Sequence, residues 1–489
     1  MSDPVRRVVV AGDGVPAATA ALAVARAFGP LGVKVTWVAP GRAGPDHLAL
    51  AAPPDIRAFY RLLRIDEGEL LRTTPATLRT AEQFAGWSDE GSVFLHAHGD
   101  AGEAFRSLPF IQYWTRARHA GLRVALEDFC LAAAAAKQGR LRTEPGAPAL
   151  HYGYHLDAAA YAALLARACE AAGVSVVTDA APAPLIANGR IEAVALPDGR
   201  RLEADLFIDA DGLLIDALDP GGAVEARPFC DRAILASAPP LAPAPLYSRV
   251  AAHSAGHVAL TPLRDRTAIR FGYSSRHMSD EEAAAALPRV AGLRVLTQSA
   301  AVPIDRTRRP RPWVANCVAV GPAAGEPEPL DAAPALALQL AVGQLVLLWP
   351  VRRDAMPEAA IYNEEIAGQR ARIDDFTAQH FRLNRRAGEP FWDEARARPV
   401  SPALRGKLDL FAARGRFAHG DHEAHVEDAW ALCMAGHGVV PRGSDPEAAR
   451  VDDASLMGEF QRQLRGIAQA VGGMETHAAA LARLSRAAR

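Results

Sequence analysis

Gly12-Asp13-Gly14-Val15-Pro16-Ala17 sets two glycines and an alanine at the spacing G-x-G-x-x-A. Such a turn brings backbone N–H groups up to a pyrophosphate. The glycines allow the tight turn and the close approach, and alanine in the third place still lets a helix pack against its strand. An ordinary strand–turn–helix has the same outline, so both readings stand for Gly12, Gly14 and Ala17. A second stretch with chemistry in it runs from Arg308 to Val342. It reads as a short buried strand, Cys317–Val320, a tight loop, Gly321 to Pro329, and an apolar helix entered at Asp331. Strand, small-residue loop and helix N-terminus together offer N–H groups to an anion. Asp331 is either an acid at that site or the N-cap of the helix. His419-Gly420-Asp421-His422-Glu423-Ala424-His425 has the look of a metal loop. No second ligand group of fixed spacing accompanies it, so the expectation is a solvated helix start and no metal site.

These groups need elements to hold them. Arg7–Ala11 reads as a strand, Ala18–Phe28 as a small-residue helix and Val33–Val38 as a second strand, an α/β unit of Rossmann type. Two features depart from a standard nucleotide site. Pro16 removes an N–H, a change tolerated in a helix's first turn. The second strand ends Val38-Ala39-Pro40, where an acid would bind the ribose hydroxyls. Pro45 to Ser107 reads as short helices and turns, with His96 and His98 on one face of a strand, where they line a plain polar pocket or touch a ligand. Tyr152 to Asp157 opens a helix running through Ala172. Val174–Val177 and Ile191–Ala195 read as strands, with a hairpin turn at Pro197-Asp198-Gly199. Asp209 and Gly212 end the stretch Ala204 to Gly212, which is either a strand returning to a nucleotide or an ordinary buried strand.

The chain has 489 residues, half of them hydrophobic and 22% charged, with a formal net charge of −2. That length suffices for one large or two interlocked domains. No Lys/Arg block stands clear of compensating acids, which argues against nucleic acid as a partner. The five cysteines are scattered without paired spacing, as in a reduced protein without disulfides. No apolar run approaches the ~20 residues of a membrane span, and Val8–Val10 is too short for the core of a signal peptide. The expectation is a cytoplasmic protein with no membrane association.

Several spaced motifs carry a resemblance to the flavin-dependent tryptophan halogenases. Trp313-Val314-Ala315-Asn316-Cys317-Val318-Ala319 through Glu328-Pro329-Leu330-Asp331 is similar to the family's most recognisable segment. Thr77 to Trp87, Val93 to Gly99, Ala204 to Gly212, His380-Phe381, Pro390-Phe391-Trp392 and Gly436 to Gly443 match further motifs. The similarity spans about residues 6–485.

The resemblance implies an α/β fold. An FAD-binding Rossmann-type module with an interwoven sheet and helical substrate region occupies residues 1–345, and a mainly helical region follows at 346–489. It implies FAD as cofactor, its reduced form supplied by a separate flavin reductase, with halide as a co-substrate. A small aromatic substrate such as an indole is the expected partner, and a homodimer is compatible with it. Gly12, Gly14, Ala17, Asp209, Gly212, Gly321, Pro334 and Ala335 become cofactor residues; His96, His98, Phe391 and Trp392 become substrate residues. Arg79 takes the place of the family's catalytic lysine, and Asp331 that of its catalytic glutamate. Lysine suits the role because its amine, once deprotonated, accepts a halogen, whereas a guanidinium with a pKa above ~12 keeps its protons. Arg79 can still donate hydrogen bonds to hypohalous acid or a carboxylate, or simply pair with Glu82 or Asp331. Asp331 is shorter than glutamate, and a displacement of ~1 Å can cost on the order of 100-fold in rate. His257 and Ala259 stand where the family has two tryptophans. Three functions follow for testing: a halogenase-family oxidoreductase impaired or diverged in halogenation, a non-catalytic binding protein on the same scaffold, and a flavin monooxygenase that uses no halide.

Overall fold

The computed structural model describes all residues except 1–2, 43, 45–46, 90, 144–149, 179–180, 305–306, 419 and 487–489. The elements that carry the site, in chain order, are β1 (Arg7–Ala11), α1 (Gly14–Phe28), β2 (Lys34–Val38), β3 (Thr77–Arg79), β4 (Ala81–Ala85), β5 (Val93–Ala97), β6 (Leu206–Asp209), β7 (Cys317–Ala319), α2 (Ala333–Leu347) and α3 (Glu358–Arg382). The first sheet runs Trp313–Val314, β7, β6, β1, β2, Ser175–Val177 and is parallel apart from its Trp313 edge. β1 is a run of valines buried on both faces, as a central parallel strand requires.

α1 follows at once because its face is nearly all alanine. Ala17, Ala18, Ala20, Ala21 and Ala23 are buried, and the absence of larger side chains lets the helix lie close on sheet and neighbour helix alike. Among the described residues this helix, extended through a short 3-10 turn to Leu31, is the one long and apolar enough to cross a membrane, and half of it is buried.

A second sheet, led by β5 and β4, continues through Tyr247–His253, Gly256–Pro262, Thr267–Tyr273 and Arg232–Ala238. The stretch from Pro45 to Ser107 therefore holds strands as well as the expected short helices. β3 and Ala49–Ala52 pair with Gly153–Asp157, and β4 runs parallel to Tyr247–His253. Their partners lie far along the chain, so no local pattern announces them. Gly153–Asp157, expected to begin a helix, is likewise a strand, and the helix starts at Ala158.

After residue 346 the chain is mainly helical, with α3 packed along α2. One hydrophobic cluster draws on both parts, from Val5 to Leu345 and from Tyr362 to Leu481.

Candidate active site

A cleft of about 740 Å³ lies at the carboxyl ends of β1 and β6, where an open parallel sheet takes its ligands. Gly14, Pro16, Gly321, Pro334 and Ala335 are in its wall. Gly14 sits at φ +71°, and a Cβ built there would meet nothing within 4 Å, so the turn is open to a ligand. Gly12 has a different reason to be glycine. A Cβ at φ +127° would stand 2.9 Å from Cβ of Ala210. Its N–H donates to Val38 O, and its carbonyl accepts from the Trp37 indole. Ala17 is fully buried between helix and sheet.

Asp209 serves the turn rather than the cleft surface. Its carboxylate accepts from the backbone N–H groups of Asp211, Gly212, Leu214 and Ile215 at 2.7–3.1 Å. Gly212, at φ +93°, caps the short helix Leu213–Leu218. Asp13, Arg42 and Asp211 line the cleft beside Gly14, and Asp157, Arg266 and Glu326 also line it, with Arg266 paired to Asp157.

Arg79 and Asp331 lie elsewhere, in a buried polar network. Arg79 ends β3 and is fully enclosed. Its Nη1 donates to His98 Nε2 at 2.6 Å, and its Nη2 stands 3.5 Å from Glu82 Oε2. Glu82 also accepts from Ser248 Oγ at 3.1 Å and from the Asp331 backbone N–H. Asp331 accepts from His96 Nδ1 at 2.5 Å and from His380 Nε2 at 2.8 Å. His380 Nδ1 lies 2.9 Å from His437 Nε2. Since His380 gives its Nε2 proton to Asp331, its neutral ring accepts from His437 on the other side.

Burial divides the charges here. It pushes Asp331 up, but the His96 and His380 donors outweigh it and hold the carboxyl well below its usual range. Glu82 is pushed up to about 8 by burial and then by Asp331, with Arg79 opposing. Asp331 thus keeps its charge while Glu82 holds a proton. His98 and His380 are both lowered, first by burial, and stay neutral.

Asp331 is not the helix cap. It and Ala332 take left-handed backbone conformations at φ +51° and +61°, and α2 begins at Ala333 with Ala332 as an N-cap that makes no side-chain bond. Two consecutive non-glycine residues in that region cost of order 1–3 kcal/mol each, strain that tends to collect at functional sites. It turns the Asp331 carboxylate to the histidines while its N–H meets Glu82.

Phe391 and Trp392 are also buried. Trp392 donates to His253 O at 2.6 Å and meets Trp87 edge-on at 4.8 Å, and Phe391 stands edge-on to Trp392 at 5.0 Å. They form an aromatic core behind the network. In the candidate metal loop, His422 bonds Glu365 at 3.1 Å and His425 stacks on Phe376 at 3.7 Å, while His419 lies outside the described residues.

The profile of the tryptophan halogenase family matches residues 7–453. The chain belongs to this family. Tryptophan 7-halogenase KtzQ of Kutzneria sp. (strain 744) is 28% identical over 488 residues, covering 89% of this chain and 90% of KtzQ. Two solved flavin-dependent halogenases superpose over nearly their whole length. BrvH from Brevundimonas sp. BAL3 is 31% identical with a TM-score of 0.91, covering 98% of this chain and 99% of BrvH. Xcc4156 from Xanthomonas campestris is 30% identical with a TM-score of 0.93, covering 98% of each.

Membership of a flavin-dependent halogenase family implies FAD, and the cleft fits it. An unobstructed glycine turn opens a helix there, with Gly321 against Pro16 and with Pro334 and Ala335 also in the wall. In this halogenase-family chain Arg79 and Asp331 come close to His96 and His98, while Phe391 and Trp392 stay apart. The sequence motifs did not reach Arg42. Asp13 stood in the fingerprint turn, and Asp211, His380 and His437 stood in matched motifs that gave none of them a role.

Proposed function

We propose that this chain is an FADH2-dependent oxidoreductase of the halogenase family, acting on an indole or another small aromatic substrate, with halogenation impaired. A separate flavin reductase supplies the reduced cofactor. Gly14, Gly321, Pro334 and Ala335 hold FAD in the cleft, and bound reduced FAD supplies the electrons that activate oxygen.

One observation carries the impairment. Arg79 is enclosed, donates to His98 and faces Glu82, in the place where the family has a lysine. A guanidinium there keeps its protons and has no lone pair to receive a halogen. It can only donate hydrogen bonds to an incoming oxidant. Asp331, already accepting from two imidazoles and lowered in pKa, is a weak base for a ring proton. A second reading, a binding protein on this scaffold, is favoured by a different observation. Neither the 740 Å³ cleft nor the smaller one of about 200 Å³ beyond Gly321 has Arg79 or Asp331 in its wall.

The test is Arg79→Lys, assayed with FAD, a flavin reductase, bromide and indole beside the unaltered chain. Brominated indole from the variant well above the unaltered level supports a working flavin site silenced at one side chain. Rapid bromination by the unaltered chain sinks the impairment. FAD bound by both, with neither producing brominated or oxygenated indole, favours the binding protein.

A further inference from the structure

We propose that Arg42 is the phosphate-binding cation of the cleft, and that its pairing with Asp211 is a resting contact given up to a nucleotide diphosphate. The proposal rests on the reading of the cleft as a nucleotide site.

β2 ends without an acid, and the loop after it is tied down by Asp13, whose two carboxylate oxygens accept from the N–H groups of Gly41 at 3.1 Å and Arg42 at 3.0 Å. Asp13 is therefore occupied and does not reach for ribose hydroxyls. The tie sets Arg42 over the fingerprint turn, with its Nε 3.7 Å from Asp13 Oδ2. Its Nη2 bonds Asp211 Oδ2, which also accepts from the Asp13 N–H at 3.3 Å. The end of the cleft where a carboxylate would meet a ribose thus presents a guanidinium. An arginine near that position accommodates a ribose phosphate in some nucleotide sites, and here its ties to Asp13 and Asp211 also set it beside the turn and helix start where a diphosphate lies.

The resting pair is easily exchanged. The Arg42 side chain is 56% exposed, and an ion pair half in water contributes little. A guanidinium held against a phosphate makes two charge-assisted bonds of matched geometry, a stronger contact. The same phosphate reaches the N–H groups at the start of α1, which add to its attraction. The ligand class is an adenine nucleotide carrying a diphosphate, with FAD as the flavin-bearing case.

The experiment titrates ADP, FAD and riboflavin separately into the full chain and into Arg42→Gln, by calorimetry and flavin fluorescence. Loss of a charge-assisted contact predicts ADP and FAD binding weakened by about 10-fold or more. Riboflavin, which has no phosphate, binds both chains alike. Asp211→Asn removes the competing acid and tightens ADP. Unchanged ADP binding by Arg42→Gln overturns the proposal, as does an equal loss for riboflavin or weaker ADP binding by Asp211→Asn. Arg42-dependent ADP binding without FAD binding supports the phosphate role and sinks the flavin reading. FAD binding indifferent to Arg42 does the reverse, and a chain that binds neither loses both.

Discussion

The two halves of the site treat charge in opposite ways. In the cofactor cleft, Asp13, Arg42 and Asp211 stand at a solvent-accessible opening, where their pairing is worth little and can be exchanged for a ligand. Around Arg79 and Asp331 the same residue types are enclosed, and each of the four oxygens of Glu82 and Asp331 accepts from one donor. There the geometry is a condition of stability, since an uncompensated buried charge costs several kcal/mol. The cleft has the form of a site that exchanges partners, while the groups around Arg79 and Asp331 hold one another. Substitutions that change charge without changing shape measure that contrast.

The largest effect belongs to Asp331→Asn. It leaves His96 and His380 facing an amide and removes the one ionised acid near Arg79. Breaking a buried pair this way costs 3–5 kcal/mol as a rule, roughly. Glu82 can shed its proton and take over as counter-ion, which keeps the expected loss near the lower end, about 3 kcal/mol. Urea unfolding at pH 7 checks it. A loss under about 1 kcal/mol would falsify the account of the network as mutually dependent charges.

Glu82→Gln tests the same half through pH. Folded, Glu82 titrates at about 8 against an ordinary 4.5, so between those values the folded chain holds a proton that the unfolded chain lacks. Its contribution is complete below the unfolded value and is lost as pH rises towards 8. The buried histidines act in the other direction. His98, His155 and His437 are held well below 6.5 by burial, and His253 and His425 fall to about 4 and about 3. Below pH 6.5 the unfolded chain takes up protons that these rings refuse, so stability falls as the solution is acidified. The two trends balance near pH 7. Between there and pH 8 the decline is mainly Glu82's, at most about 1.4 kcal/mol per pH unit and about 1 kcal/mol in all. In Glu82→Gln the decline up to pH 8 should be much reduced, leaving the slope of four of the buried cysteines, whose thiols burial also pushes up, and an unchanged decline would assign it to another group.

Much of the cofactor half was legible in the sequence because it is local. β1, the glycine turn, α1 and β2 follow one another within 32 residues and carry their own periodicity. The buried half was legible mainly by resemblance, which aligned Arg79 and Asp331; a pairing of Arg79 with Glu82 was among the expected alternatives, but the histidines around both were not foreseen as their partners. The contacts that decide their chemistry join residues 19, 235 and 49 positions apart, from Arg79 to His98, His96 to Asp331 and Asp331 to His380. No window along the chain contains them. Asp209 shows the converse limit. Its motif correctly marked the end of a strand, yet composition could not reveal that four backbone N–H groups occupy its carboxylate. The left-handed backbone at Asp331 and Ala332 was equally hidden, since aspartate visits that region only occasionally, as single residues, and alanine avoids it.

The smallest effect closes the comparison. Asp211→Asn makes in the cleft the same isosteric change that Asp331→Asn makes in the network. Asp211 also pairs with an arginine and is itself mostly shielded, but Arg42 is largely in water and has Asp13 beside it as a second acid. Burial pushes Asp211 up, with Arg42 the main opposing influence, so ionising it in the folded chain already carries a desolvation cost that the amide avoids. Lost attraction and relieved desolvation nearly cancel, and the expected change in unfolding free energy is below about 1 kcal/mol. Measured in the same urea series as Asp331→Asn, a loss as large as that variant's would mean the cleft is as rigidly bound by its charges as the network. The pairing of Arg42 with Asp211 would then be a structural tie, too costly for an arriving phosphate to displace.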